Sequence, residues 1–201
     1  MKVLVITGGI GSGKSSVCGY LEKAYGWPLY EADAKVKSLY VTHPTLLDDI
    51  ENSLGVTLRD DSGKFLPSLL ASVIFNDSEA LAKVEDLVFP VLAEDFQRWK
   101  SEHSDRDFVI LESATILEKP QLKGMGDIVL LIDAPLDLRA RRAAIRDDAS
   151  IEKITQRMQA QTLMNKISSG TMTSPADYTI INAGSHEDLI ANVNKLVEIL
   201  L

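Results

Sequence analysis

One cysteine, Cys18, stands in 201 residues, so the chain forms no internal disulfide. The three histidines, His43, His103 and His186, are scattered, and with a single thiol they give no metal-ligand spacing, which excludes a structural zinc site. No apolar run approaches the roughly 18 residues of a membrane span. The amino-terminal MKVLVITGG lacks the long apolar stretch and small-residue cleavage site of a signal peptide, so it reads as a buried strand of a cytoplasmic protein. Positive charge is also scarce: 21 basic residues face 29 acidic ones, for a formal charge of −8. Proteins that coat nucleic acid carry basic stripes, so neither a nucleic-acid nor a membrane partner is expected. Internal repeats and low-complexity segments are missing.

What remains is ordinary globular composition, 45% hydrophobic and 25% charged, at the length of one domain. A monomer with at most weak self-association is expected. Short β-rich runs at Lys2 to Thr7, Phe108 to Leu111, Ile128 to Ile132 and Tyr178 to Asn182 predict doubly buried parallel strands, with a weaker one at Trp27 to Tyr30. Pro44 to Leu54, Pro67 to Phe75 and Ser78 to Lys100 have helical pattern and no strand between them, so they read as a helical insert. Leu136 to Met164 is helical and holds Arg139, Arg141, Arg142, Arg146 and Arg157, which reads as a separate, mobile element. Ser185 followed by Glu187 and Asp188 starts a last helix whose apolar residues recur at helical spacing. The expected organisation is a single α/β domain with core 1–35, 105–136 and 175–201, insert 36–104 and lid 137–174.

Residues 8 to 15, GGIGSGKS, fit the phosphate-loop pattern, between a predicted strand and a helix-forming segment. Glycines there let successive amides turn inward, and the following helix adds its positive end. Lys14 is expected to neutralise the β and γ phosphates, and the Ser15 hydroxyl to ligate the magnesium ion that bridges them. A guanine-reading Asn-Lys-x-Asp is missing: Asn165-Lys166 continues Ile-Ser and Asn194-Lys195 continues Leu-Val. Asp60-Asp61-Ser62-Gly63 matches Asp-x-x-Gly but lies in a polar turn with no strand before it. A small-molecule kinase fits best.

Such a kinase needs a carboxylate near the acceptor hydroxyl, and Asp33, after the second strand, is the candidate base. The alternative is a helix N-cap for a helix starting near Ala34, and the two roles are compatible. Arg142 and Arg146, four apart, share one helix face and are expected to reach the phosphates, Arg142 as the clamp. Arg139 and Arg141 are expected on a solvated basic face paired with Asp137, Asp147 and Asp148. Cys18 reads as a small packed residue.

TGGIGSGKSSV, EADAKV, RRAAIRDD, RMQAQ and ADYTIIN, in that order, resemble the dephospho-coenzyme A kinase family over nearly the whole chain. The resemblance implies a P-loop kinase fold, its five-stranded parallel sheet ordered 2-3-1-4-5, flanked by helices, with a helical acceptor-binding insert and a lid. It implies transfer of the ATP γ-phosphate to the ribose 3′-hydroxyl of dephospho-coenzyme A with Mg2+. Gly11, Ser12, Gly13, Lys14, Ser15 and Ser16 would wrap the ATP phosphates, Lys14, Asp33 and Arg142 would be catalytic, and Asn182 would contact adenine. A kinase for another nucleoside or small alcohol, and a non-catalytic nucleotide switch, are the alternatives. Ser68 and Phe89 stand where the family often has arginine and histidine, which leaves the acceptor contacts open, as is the role of Glu112. The stretch Ile167 to Pro175 is longer than the usual link and is expected to order with ligand.

The acidity is uneven. Residues 77 to 118 hold eleven acidic and four basic side chains, whereas Asp137 to Arg157 hold six basic and four acidic. Net charge is therefore the wrong scale for judging a phosphate site, which depends on a few local donors.

Overall fold

The structure, a computed structural model, describes residues 1–75, 77–122 and 124–201; Asn76, within the expected insert, lies outside them. In chain order the elements are β1 (Lys2–Thr7), α1 (Lys14–Tyr25), β2 (Leu29–Glu31), α2 (Ala32–Thr42), α3 (Leu46–Leu54), α4 (Pro67–Phe75), α5 (Ser78–Glu102), β3 (Phe108–Glu112), β4 (Ile128–Asp133), α6 (Leu136–Asp147), α7 (Ile151–Gln159), α8 (Thr162–Ser168), β5 (Tyr178–Ile181) and α9 (His186–Leu200). The chain divides into two compact units, Met1–Glu31 with His103–Leu201, and Ala32–Glu102.

In the first unit the strands form one parallel sheet in the order β2-β3-β1-β4-β5, as the resemblance implies. The central strands β1, β3 and β4 are near-continuous apolar runs because a parallel strand is covered on both faces. On one face Leu4, Ile6, Ile110, Leu130 and Ile132 pack with Val17, Cys18 and Leu21 of α1 and with Leu189, Val193 and Leu196 of α9. Trp27 stacks on Phe108 with ring centroids 4.5 Å apart, so it packs ahead of β2, which starts at Leu29 rather than at Trp27. The register aligns Glu31 with Glu112, Ile6 with Glu112, Thr7 with Leu131 and Asp133 with Ile181. All the strand ends therefore share one edge, the one outside which open α/β sheets bind ligands.

The arginine-rich segment is three helices. Asp148 ends α6 in the left-handed region at φ 47°, Ser150 caps α7 by accepting from the Lys153 amide, and α8 follows after Ala160. Ile167 and Ser168 complete α8, so the long link begins beyond them. In α9, Ser185 and Asp188 each accept the other's backbone N–H, a reciprocal capping box that satisfies two otherwise orphaned donors.

The second unit is helical. Leu46, Leu47 and Ile50 of α3 and Leu70 of α4 are buried, as are Val84, Val88, Phe89, Leu92 and Phe96 along α5. Phe89 is thus a core residue and Ser68 an exposed one on α4. The Asp60 carboxylate accepts from the Ser62 and Lys64 amides, which makes its Asp-x-x-Gly a self-bonded surface turn.

Candidate active site

At the end of β1 the chain turns through Gly8 to Gly13 into α1. Gly11 and Gly13 lie at φ 75° and 106°, where only glycine is unstrained, and each is also filled from outside. A Cβ on Gly11 would strike the Arg139 carbonyl, and one on Gly13 the Asn182 amide. Gly13 caps α1 without a side-chain bond, which leaves the amides of Lys14 and Ser15 unpartnered within the helix at its positive end. This is the geometry of an anion cradle.

Lys14 reaches along the sheet edge. Its Nζ lies 3.5 Å from Glu112 Oε1 at the end of β3, with both side chains 12% exposed. Gly11, Gly13, Lys14, Ser15, Ser16, Arg142 and Arg146 line one cavity of about 290 Å3. Arg142, on α6, donates to the Asn182 carbonyl at 2.9 Å and to its Oδ1 at 3.4 Å. Arg146 is held by Asp147 through Nε at 2.7 Å, and Asp147 also accepts from Arg157 at 2.7 Å. Those two arginines hold the Asp147 carboxyl well below the usual carboxylate range, at about 2.

Asn182 is nearly buried, and its amide is committed beneath the loop: Nδ2 donates to the Ser12 carbonyl at 2.8 Å while Oδ1 accepts from Arg142. It ties the loop to α6 from just beyond the end of β5. Asp33 is exposed in the first turn of α2, in the other compact unit. The helix begins at Ala32, so Asp33 is not its cap; the carboxylate instead complements the helix dipole.

The expectation for Arg139 is overturned. It is fully buried rather than solvated, because it lies on the inward face of α6 with Ala140 and Ala143, and its donors are taken up locally. Nε donates to the Ile10 carbonyl at 3.0 Å, Nη1 to Ser168 Oγ at 3.0 Å and Nη2 to Gln161 Oε1 at 3.2 Å, with Asp133 Oδ1 3.8 Å from Nη1. Burial pulls its pKa down and Asp133 opposes the shift. The small residues at 140 and 143 were the available signal that position 139 faces the packed side. Arg141 is exposed. Cys18 is buried behind the loop, and burial, aided by Glu112 and opposed by Lys14, pushes its thiol pKa up.

Among the described residues, no group of three His, Cys, Asp or Glu side chains could hold a metal ion. The exposed Ser15 hydroxyl, which lines the cavity, is a hard oxygen donor, suited to a magnesium ion that keeps water and phosphate among its ligands.

A parallel sheet with a glycine-rich loop, a lysine and a helix N-terminus at its carboxyl edge, and arginines facing that loop, defines a P-loop kinase fold. The dephospho-CoA kinase family model matches residues 2–188. A dephospho-CoA kinase from Bacteroides fragilis (strain YCH46) is 34% identical over 195 residues, covering 97% of this chain and 91% of that protein. The chain belongs to the dephospho-CoA kinase family. The crystal structure of TT1252 from Thermus thermophilus matches with a TM-score of 0.81 at 28% identity, covering 100% of this chain and 98% of that one. A dephospho-CoA kinase from Campylobacter jejuni shares the fold, with a TM-score of 0.59 at 20% identity over 98% of this chain and 96% of that one. Among the described residues no helix is long and apolar enough to cross a membrane.

Proposed function

We propose that this chain transfers the γ-phosphoryl group of ATP to the ribose 3′-hydroxyl of dephospho-coenzyme A, giving coenzyme A and ADP, the last step of coenzyme A biosynthesis. The observation that carries the reading is the cavity shared by Lys14, Ser15, Arg142 and Arg146 at the end of β1, in a chain of the dephospho-CoA kinase family. Gly11 to Ser16 hold the phosphates through their amides, and Lys14 exchanges Glu112 for phosphate oxygens. A magnesium ion, held through Ser15, water and the phosphates, would neutralise charge on the transferred group. Asp33 accepts the 3′-hydroxyl proton as the new O–P bond forms and the bond to the ADP oxygen breaks. Arg142 stabilises charge on the equatorial oxygens.

In this reading 36–104 binds the acceptor, 137–174 is the lid, and the protein works as a cytoplasmic monomer without nucleic-acid or membrane partners. Asn182 supports the loop, and contacts adenine with what its committed amide leaves free. ADP release is to be followed with magnesium-ATP and dephospho-coenzyme A, beside a panel of nucleosides and small alcohols. The expected result is turnover with dephospho-coenzyme A alone. A rate no higher than without acceptor, in protein shown to bind ATP, sinks the proposal. Because Ser68 and Phe89 replace residues the family often uses, turnover with a different acceptor is the outcome that would favour the second reading, a kinase for another alcohol.

A further inference from the structure

Ile10, at the apex of the phosphate loop, is gripped at three points by residues outside it. Its amide donates to Gln161 Oε1 at 2.8 Å, its carbonyl accepts from Arg139 Nε at 3.0 Å, and its side chain packs on the cluster of Ala140, Ala143, Ile154 and Met158. Gln161 and Ser168 stand at the two ends of α8, and both accept from the same guanidinium. Ser168 passes the contact on, donating to Asp133 Oδ1 at 2.6 Å at the end of β4. The guanidinium and the Arg139 backbone also fill the space that side chains at positions 9 and 11 would need. A fully buried cation is costly unless it is hydrogen-bonded and a counter-charge is near; here each guanidinium nitrogen donates one bond and Asp133 lies 3.8 Å away. Helical packing alone does not require it, because an apolar residue would fill the same face without the desolvation cost.

We propose that Arg139, with Gln161, is the positioning residue that sets the phosphate loop in its binding shape and makes that shape depend on the docking of α8. Arg139 touches no phosphate; it acts through Ile10. The loop amides converge on one anion only while Ile10 is held, and Ile10 is held only while Gln161 and Ser168 are in place. The lid helices thereby set nucleotide affinity from behind the loop, separately from the arginines that face the cavity. The inference rests on the kinase reading, in that the loop binds ATP.

The test is calorimetric titration of folded protein with magnesium-ATP, in parallel with steady-state kinetics and thermal melting, for Arg139→Lys, Gln161→Ala and the double variant. Lysine keeps the charge but not the forked donors, so Arg139→Lys is expected to weaken ATP binding about tenfold or more. Gln161→Ala, at a half-buried site that a folded chain tolerates, is expected to weaken it several-fold, and the double variant less than the product of the two. The KM for dephospho-coenzyme A is expected to stay within about twofold, which a general loss of packing would not spare. Variants that melt earlier yet bind ATP as the parent does overturn the proposal, as does independent, multiplicative behaviour of the pair. Failure of the parent protein to bind magnesium-ATP overturns the kinase reading and this inference together, so the two failures are told apart.

Discussion

Lys14 and Glu112 form an ion pair at 3.5 Å across the edge between β1 and β3, each side chain 12% exposed. At that depth neither charge is well solvated, so each contributes to offsetting the desolvation of the other. Lys14→Met is expected to abolish ATP binding and to destabilise the fold. Adding Glu112→Gln to that variant is expected to recover part of the lost stability, since a half-buried carboxylate that has lost a counter-charge is replaced by a neutral amide. Urea denaturation of the single and double variants measures the difference; equal stabilities would show that Lys14 does not offset the cost of burying the Glu112 carboxylate.

Asp33→Asn is expected to lower kcat by about 100-fold or more while the KM for ATP changes less than about threefold, the pattern of a proton acceptor used in the transition state. Turnover at the parental rate would leave Asp33 only its place in the first turn of α2.

Arg142→Lys removes the fork that reaches both Asn182 oxygens. A lysine cannot make both bonds and still face the cavity, so kcat is expected to fall about 10-fold to 1000-fold. Stopped-flow or coupled assay reads it, and near-parental rates would place the clamp elsewhere, with Arg146 the next to test.

The Asp147 carboxyl titrates at about 2, below its ordinary 3.8, because Arg146 and Arg157 bond its ionised form. A lowered folded-state pKa gives stability that is present above the unfolded value and lost as pH falls through the folded one. The melting-temperature difference between parent and Asp147→Asn is therefore expected to be constant from pH 5 to 9 and to shrink between pH 4 and 2. It is also expected to diminish in high salt, since the pair is exposed. A difference that instead moves near neutrality would implicate another group.

Ser185→Ala removes one half of the capping box of α9 and is expected to cost about 1 kcal/mol in urea denaturation, with kinetics unchanged. A loss well beyond 2 kcal/mol would mean that the cap also anchors β5.

The parallel core was legible because doubly buried strands are apolar on both faces: Lys2 to Thr7 carries the same bounds in sequence and structure, and Ser185 announced the last helix. The phosphate loop was legible because its backbone requirement fixes glycine positions. Residues whose work depends on what other elements bring to them were harder. Glu112 had no evident role until register put it beside Lys14, and Arg139 looked like one more surface arginine until α6 turned it inward. A buried charge is recognisable only by its partners, and the hydrogen-bond partners of Arg139 lie 129 residues before it and 22 and 29 after it. Asp147 and Asp148 likewise separate only in the structure, one holding two arginines, the other taking the left-handed turn that ends α6.

The burial of Cys18 makes this a convenient molecule for site-directed labelling. Its only native thiol is enclosed between α1 and the sheet and is held in the unreactive protonated form, so maleimide reagents should ignore it. Ile145 lies on α6 between Arg142 and Arg146 and is 85% exposed, so Ile145→Cys would carry a fluorophore without a cysteine-free background. The parent chain then serves as its own unlabelled control for watching the arginine helices respond to nucleotide.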